Sequence, residues 1–351
     1  MSTEAAPSAP GAGAKSLGKI NTVVRLSIRI FALVVAAMGV LFVVNNFLNF
    51  WAGWPGLLNF VASGFGSFGG LSANAQMLGW LQVLLNAAPI AAIVYWVVRT
   101  PNGLMHMDAD RLSAIAAYIV RSSFWAVLFV GLADGAISFL RVEDLLPVLF
   151  GADLADQLGR ASFRGAYVHY PLVALGFIIG LFTRTLGFTW LALLIVFAEL
   201  QIVLSRFVFS YEQAFMGDLV RFWYASLFLF ASSYTLLEEG HVRVDILYNN
   251  FSEHGKAWSN IVGSLLLGLP VCWVILTLGM WSPSNLINAP MLSYEVTQSG
   301  YGMYVKYLMA GFLMIYALSM LVQFCAMILD NAGTVVDEPE THPHHKYETA
   351  V

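Results

Sequence analysis

Long apolar runs broken by short polar links organise the whole chain. From Ile30 to Val98 there is no Asp, Glu, Lys or Arg, and a charge-free stretch of that length cannot be the surface of a water-soluble domain. A helix crosses about 30 Å of hydrocarbon with about 20 residues, and lipid tolerates only a backbone whose hydrogen bonds are closed, so each run predicts a transmembrane helix. Eight are predicted, at roughly 27–49, 78–98, 112–140, 168–183, 187–206, 219–237, 258–281 and 304–329. Between the fourth and fifth, Thr183-Arg184-Thr185-Leu186-Gly187 has to make a very tight turn; a kink there in one long helix would give seven. The expected fold is all-α, a polytopic transmembrane helical bundle of about eight spans with seven as the alternative.

Lys and Arg accumulate in short cytoplasmic loops. With eight spans, one side holds Lys15, Lys19, Arg25, Arg99, Arg111, Arg184, Arg243, Lys256 and Lys346. On the other, the connections 50–77 and 282–303 carry no Lys or Arg. In the connection 141–167, Arg141, Arg160 and Arg164 are outnumbered by Glu143, Asp144, Asp153 and Asp156. This asymmetry predicts that both the N- and C-termini are cytoplasmic. Trp51, Trp54, Trp80, Trp96, Trp258 and Trp281 fall near the predicted span ends, as an interfacial aromatic belt requires.

Composition agrees with lipid as the solvent: 59% of the 351 residues are hydrophobic and 11% charged, against about a quarter charged in soluble domains. The net charge of −4 comes partly from Asp330, Asp337, Glu338, Glu340 and Glu348. It leaves no basic footprint for nucleic acid. Cys272 and Cys325 lie in apolar runs and read as small packed hydrophobes. Residues 1–26, rich in Ala, Ser, Pro and Gly and then basic, predict a disordered cytoplasmic N-terminus. The run from Ser27 to Phe50 is longer than a signal core, and Ala73-Asn74-Ala75 lies too far downstream to close one, so the run is expected to be a retained span. Residues 330–351 predict a disordered acidic cytoplasmic tail.

Several strings in the C-terminal half belong together. A span ends in Ser205-Arg206-Phe207-Val208-Phe209. Gly217-Asp218-Leu219-Val220-Arg221-Phe222 opens the next, which ends in Leu236-Leu237-Glu238-Glu239-Gly240-His241-Val242-Arg243-Val244-Asp245-Ile246. Ser293-Tyr294-Glu295-Val296-Thr297 follows the third span of this half, and Tyr304-Val305-Lys306-Tyr307-Leu308 opens the last. From about Trp190 onward the chain therefore resembles the small permease subunit, of DctQ type, of tripartite ATP-independent periplasmic (TRAP) transporters, and within it the mannitol/chloroaromatic-type subgroup. The Glu-Gly-His-Val-Arg-Val-Asp string is the most specific part. The acidic pair usual before the second span of this half is Gly217-Asp218 here, so Asp218 alone can take that role.

The resemblance implies a DctQ-like four-span domain over 187–329, preceded by an N-terminal extension over 27–186 with about four spans. No convincing repeat relates the two halves. It implies a bacterial inner-membrane protein without a cofactor, working with a large DctM-like permease subunit, a periplasmic solute-binding protein and membrane lipid. The large subunit would carry a small organic solute, an organic anion, coupled to an ion, usually sodium, while the small subunit braces it. Arg206, Asp218, Arg221, Glu239, His241, Arg243 and Asp245 are the corresponding interface candidates.

The bland readings stand beside these. Glu239 with Arg243 and His241 with Asp245 are four apart, worth only a few tenths of a kcal/mol each if helical, and Arg243 also satisfies the positive-inside rule. Arg206 can snorkel to headgroups. Asp218 and Arg221 form an i,i+3 pair, with Asp218 near a helix N-terminus where the dipole favours an anion. Glu199, Asp134 and Arg121 lie within spans, where charge is costly and faces protein or water. They are the candidate intramembrane polar contacts, each pairing with a neighbouring helix of this chain or of the large subunit or, in a self-sufficient secondary transporter, with Glu199 and Asp134 binding the coupling ion. Gly131-x-x-x-Gly135 and Gly176-x-x-x-Gly180 would allow close helix packing. Gly64-Phe65-Gly66-Ser67-Phe68-Gly69 matches the dinucleotide fingerprint by letter only, with no preceding strand. His342, His344 and His345 have no scaffold for a metal. No Walker sequence, zinc-protease helix or nucleophile elbow occurs, so an enzyme is not expected.

Overall fold

The structure is a computed structural model and describes residues 22–65, 70–184, 188–237, 248, 250–297 and 302–339. Among these there is no strand, and eight helices are long and apolar enough to cross a membrane. They are α1 (Thr22–Phe50), α2 (Ala73–Arg99), α3 (Met105–Val142) and α4 (Ala161–Phe182). The C-terminal half contributes α5 (Phe188–Val208), α6 (Ala214–Leu237), α7 (Glu253–Met280) and α8 (Lys306–Val335). Most outrun the apolar stretches that predict them, because a helix continues as readily through polar residues once water can satisfy its ends. The 38 residues of α3 make a rod of about 57 Å, nearly twice the hydrocarbon thickness.

The tight link between the fourth and fifth spans is a true break. Thr183 leaves the helix at φ −93°, ψ 147°, and its hydroxyl accepts the indole N–H of Trp125 on α3 at 2.9 Å. Two spans result, not one kinked helix.

Two of these extensions bring buried polar residues into the bundle. The fourth helix starts at Ala161, not at 168, and its Gly165–His169 segment is a π-turn that precedes Pro171. Proline lacks an N–H and its ring crowds the carbonyl four residues back, and a widened turn relieves both. Ser264–Gly268 and Pro270 repeat the device in α7. At the other end, α8 continues past 329 to Val335, and Glu338 beyond it is buried. The first residues of the expected acidic tail are thus part of the fold, because their carboxylates find partners there.

The helices are unequal. In the most apolar windows of α3 and α8, 56% and 67% of residues are buried, against 11% in α2 and α5. α3 packs against α4, α6 and α8, so a helix of the N-terminal half forms the centre of the bundle. One apolar cluster joins Ala32 and Ala36 of α1, Ala109 and Leu112 of α3, Leu276 of α7 and Leu321 of α8. A second joins Phe124 and Val127 of α3, Leu191 of α5, and Phe222 and Trp223 of α6 with Phe312 of α8. Since lipid is as apolar as leucine, close packing and polar contacts decide which helices meet. Gly176 and Gly180 are where α4 meets α3: a Cβ at either would come within 2.5 Å of the Ala126 nitrogen or 2.2 Å of the Ser122 hydroxyl. In the other small-residue motif only Gly131 is tight, against the Trp223 indole, while Gly135 has ordinary contacts.

Candidate functional site

A charged network is enclosed at the end of the bundle opposite the termini. Asp134, two turns before the end of α3, accepts from Arg164 Nη1 at 2.8 Å and His169 Nε2 at 3.1 Å through Oδ1. Its Oδ2 accepts the Tyr304 backbone N–H at 2.8 Å. Both basic partners come from the start of α4, and the π-turn sets the position of His169. A carboxylate only accepts, so Nε2 donates; with the ring neutral, Nδ1 accepts the Tyr307 hydroxyl at 2.8 Å. Arg164 also donates to the Ser138 hydroxyl at 3.0 Å and to the Leu158 carbonyl, and its guanidinium lies 4.3 Å from the Tyr304 ring centre. Arg141 covers the same ring at 4.5 Å and donates to the Gly302 carbonyl at 3.0 Å.

One residue earlier, the Met303 N–H donates to Asp218 Oδ2 at 3.1 Å. Two carboxylates from α3 and α6 thus hold consecutive amides at the entrance to α8. Asp134, Arg164, His169 and Tyr307 are all 0% exposed, which closes this site to a solute. Its chemistry is that of a lock joining α3, α4, α6 and α8. Removing one partner of such a buried pair costs about 3–5 kcal/mol.

A second polar cluster joins the opposite end. Arg29 of α1, 1% exposed, donates to Asp108 of α3 at 2.7 Å and to the Thr100 carbonyl. Arg111 answers the other Asp108 oxygen at 3.1 Å. Glu338 pairs with Arg25 at 3.0 Å and accepts the Met105 N–H at 2.7 Å, and Asp330 meets His106 at 2.7 Å. The starts of α1 and α3 and the end of α8 therefore lie together, as an even number of spans requires.

The sequence candidates divide sharply. Asp134 finds its partners inside the chain, and Arg121 donates to the Gly180 carbonyl at 2.9 Å, capping the end of α4. Asp218 pairs with Arg221 at 3.4 Å as the spacing suggests. However, α6 begins at Ala214 with no acid in its first turn, so Asp218 serves the Met303 amide and not its own helix terminus. Arg206 is exposed and sits 3.7 Å from Glu212. Glu199 is exposed on α5 and makes no hydrogen bond or ion pair among the described residues. Glu239, His241, Arg243 and Asp245 lie outside the described residues, as do His342, His344 and His345. Sequence reasoning missed Arg164, assigned to a loop, and His169; the Pro171 that follows was the available signal of an irregular turn. It also missed the amides Asn45, Gln82 and Asn86, which tie α1 to α2 at 2.6–3.1 Å.

These features define a multi-pass helical membrane protein whose buried charges are used for assembly. Residues 192–332 match the family described as tripartite ATP-independent periplasmic transporters, DctQ component. The match is less than half of the chain and runs from the first turns of α5 to the last turn of α8. No curated protein and no solved structure matches the chain.

Proposed function

We propose that this chain is the small membrane subunit of a TRAP transporter in a bacterial inner membrane, holding and orienting a large permease during ion-coupled uptake of a small organic anion. The observation that carries this reading is the DctQ match across residues 192–332, which spans the last four membrane helices. Sodium coupling, the solute-binding protein and the division into a four-span extension and a four-span domain rest on the same resemblance. The exposed Arg206 and Arg221, with Glu239, His241, Arg243 and Asp245, which lie outside the described residues, are the docking candidates it implies, whereas Asp218 is turned inward.

The geometry disfavours a self-sufficient transporter. Such a protein needs carboxylates free to exchange an ion at one membrane site. Asp134 already answers an arginine, a histidine and an amide, and Glu199 shares none of these partners. Proteoliposomes test the assignment. Uptake of labelled solute is expected only when this chain, its large permease and the solute-binding protein are all present; uptake by this chain alone would refute it.

A further inference from the structure

Glu199 sits twelve residues into the 21-residue α5, at the middle of the hydrocarbon, where an ionised carboxylate facing lipid is costly. Two other acids within spans are satisfied by the chain itself, Asp134 of α3 by Arg164 and Asp218, in the second turn of α6, by the Met303 amide. Glu199 is the one mid-span acid among the described residues that is both exposed and unpaired. Gln201 is exposed two residues on.

The comparison with α2 is direct, since the two helices are equally bare. Between Met77 and Val98, α2 exposes no Asp, Glu, Asn, Gln, Lys or Arg, and its amides Gln82 and Asn86 are bonded to Asn45 of α1. That surface suits lipid. α5 presents a different stripe: Val196, Glu199, Val203 and Arg206 recur at intervals of three and four, share one helix face, and are all exposed.

We propose that this face of α5 seats a transmembrane helix of the large permease, one that presents a Lys, Arg or other strong hydrogen-bond donor at the depth of Glu199. The inference rests on the small-subunit reading and adds the surface and the chemistry of the contact. The charge of Glu199 sets a second copy of this chain aside. Two copies of this chain in one bilayer, related by a two-fold axis along the membrane normal, would bring Glu199 against Glu199 at equal depth, a like-charge contact. Within the matched segment α8 is enclosed by α1, α3, α6 and α7, and α5 is the least buried of the four helices, at 11% of its most apolar window against 28% in α7 and 39% in α6.

The test uses the chain co-expressed with its large permease. A photoactivatable maleimide is attached at V203C on α5, or at L84C on α2 and I178C on α4. The buried Cys272 and Cys325 make the unsubstituted chain the background control. Light is expected to join V203C, and neither control position, to the large permease. In parallel, E199A should lower the permease recovered with a tagged chain about tenfold, E199K further, and E199Q least because it keeps a hydrogen bond. An intact complex that cross-links from L84C or I178C but not V203C overturns the α5 seat and leaves the small-subunit reading standing. So does V203C joining two copies of this chain, or a lipid-soluble carbodiimide labelling Glu199 equally with and without the permease. Failure of the unsubstituted chain to recover any permease sinks the small-subunit reading itself, and the seat with it.

Discussion

α3 and α5 each carry one acid deep in an apolar span, and the two acids are treated in opposite ways. Asp134 on α3 is fully enclosed and engages three donors from α4 and the entrance to α8. Glu199 on α5 is exposed and has no partner among the described residues. The difference follows from the helices, not from the residue type. α3 is surrounded on several sides and can recruit donors from its neighbours; α5 touches mainly α6. A carboxylate within a membrane therefore has no fixed meaning: enclosed, it reports how the chain closes on itself, and bare, it reports what the chain lacks.

The largest expected effect tests the enclosed acid. Replacing Asp134 by Ala leaves the Arg164 guanidinium buried without its counter-charge and frees the Tyr304 amide, a loss of about 3–5 kcal/mol. Thermal unfolding in detergent should show it as a large fall in Tm, and D134L/R164L should recover part of the loss because both charges leave together. An unchanged Tm for D134A would show that the pair is not buried as described. A middle effect concerns how closely α4 approaches α3: G176V places side-chain atoms where the Ala126 backbone now lies, and about 1–3 kcal/mol of destabilisation is expected from overpacking. The smallest effect is at Glu199. For the isolated chain E199Q should change stability by no more than about 0.5 kcal/mol, as at a surface site without internal partners, and a larger loss would mean that Glu199 has a contact within its own chain.

The span pattern was legible because lipid imposes a length and excludes charge, so eight apolar runs become eight helices. Asp134 was legible as a residue needing a reason, but the reason was not, since Arg164 lies 30 residues away and His169 35 residues away, and no local spacing encodes their approach. The charge asymmetry hid Arg164 further by grouping it with an acidic external connection, whereas α4 starts early enough to draw it inside. Arg29 was a similar case: it falls just inside the first predicted span, 79 residues before the Asp108 against which it is buried. Pairings of this kind depend on which helices become neighbours. The sequence pattern leaves that open until small residues such as Gly176 and Gly180 are seen facing a specific helix.

The position of α8 at the centre has a consequence for how the protein is made. Synthesis proceeds from the N-terminus, so Asp134, Asp218 and the Met105 amide are all in place before residues 303, 304 and 338 leave the ribosome. Until that last span arrives, both carboxylates at one end lack their amides and the opposite end lacks its Glu338 clasp. The last span thus completes the electrostatics of both ends: a product that stops short of α8 keeps the Asp134–Arg164 and Arg29–Asp108 pairs but leaves the Oδ2 atoms of Asp134 and Asp218 without their amide donors and Arg25 without Glu338.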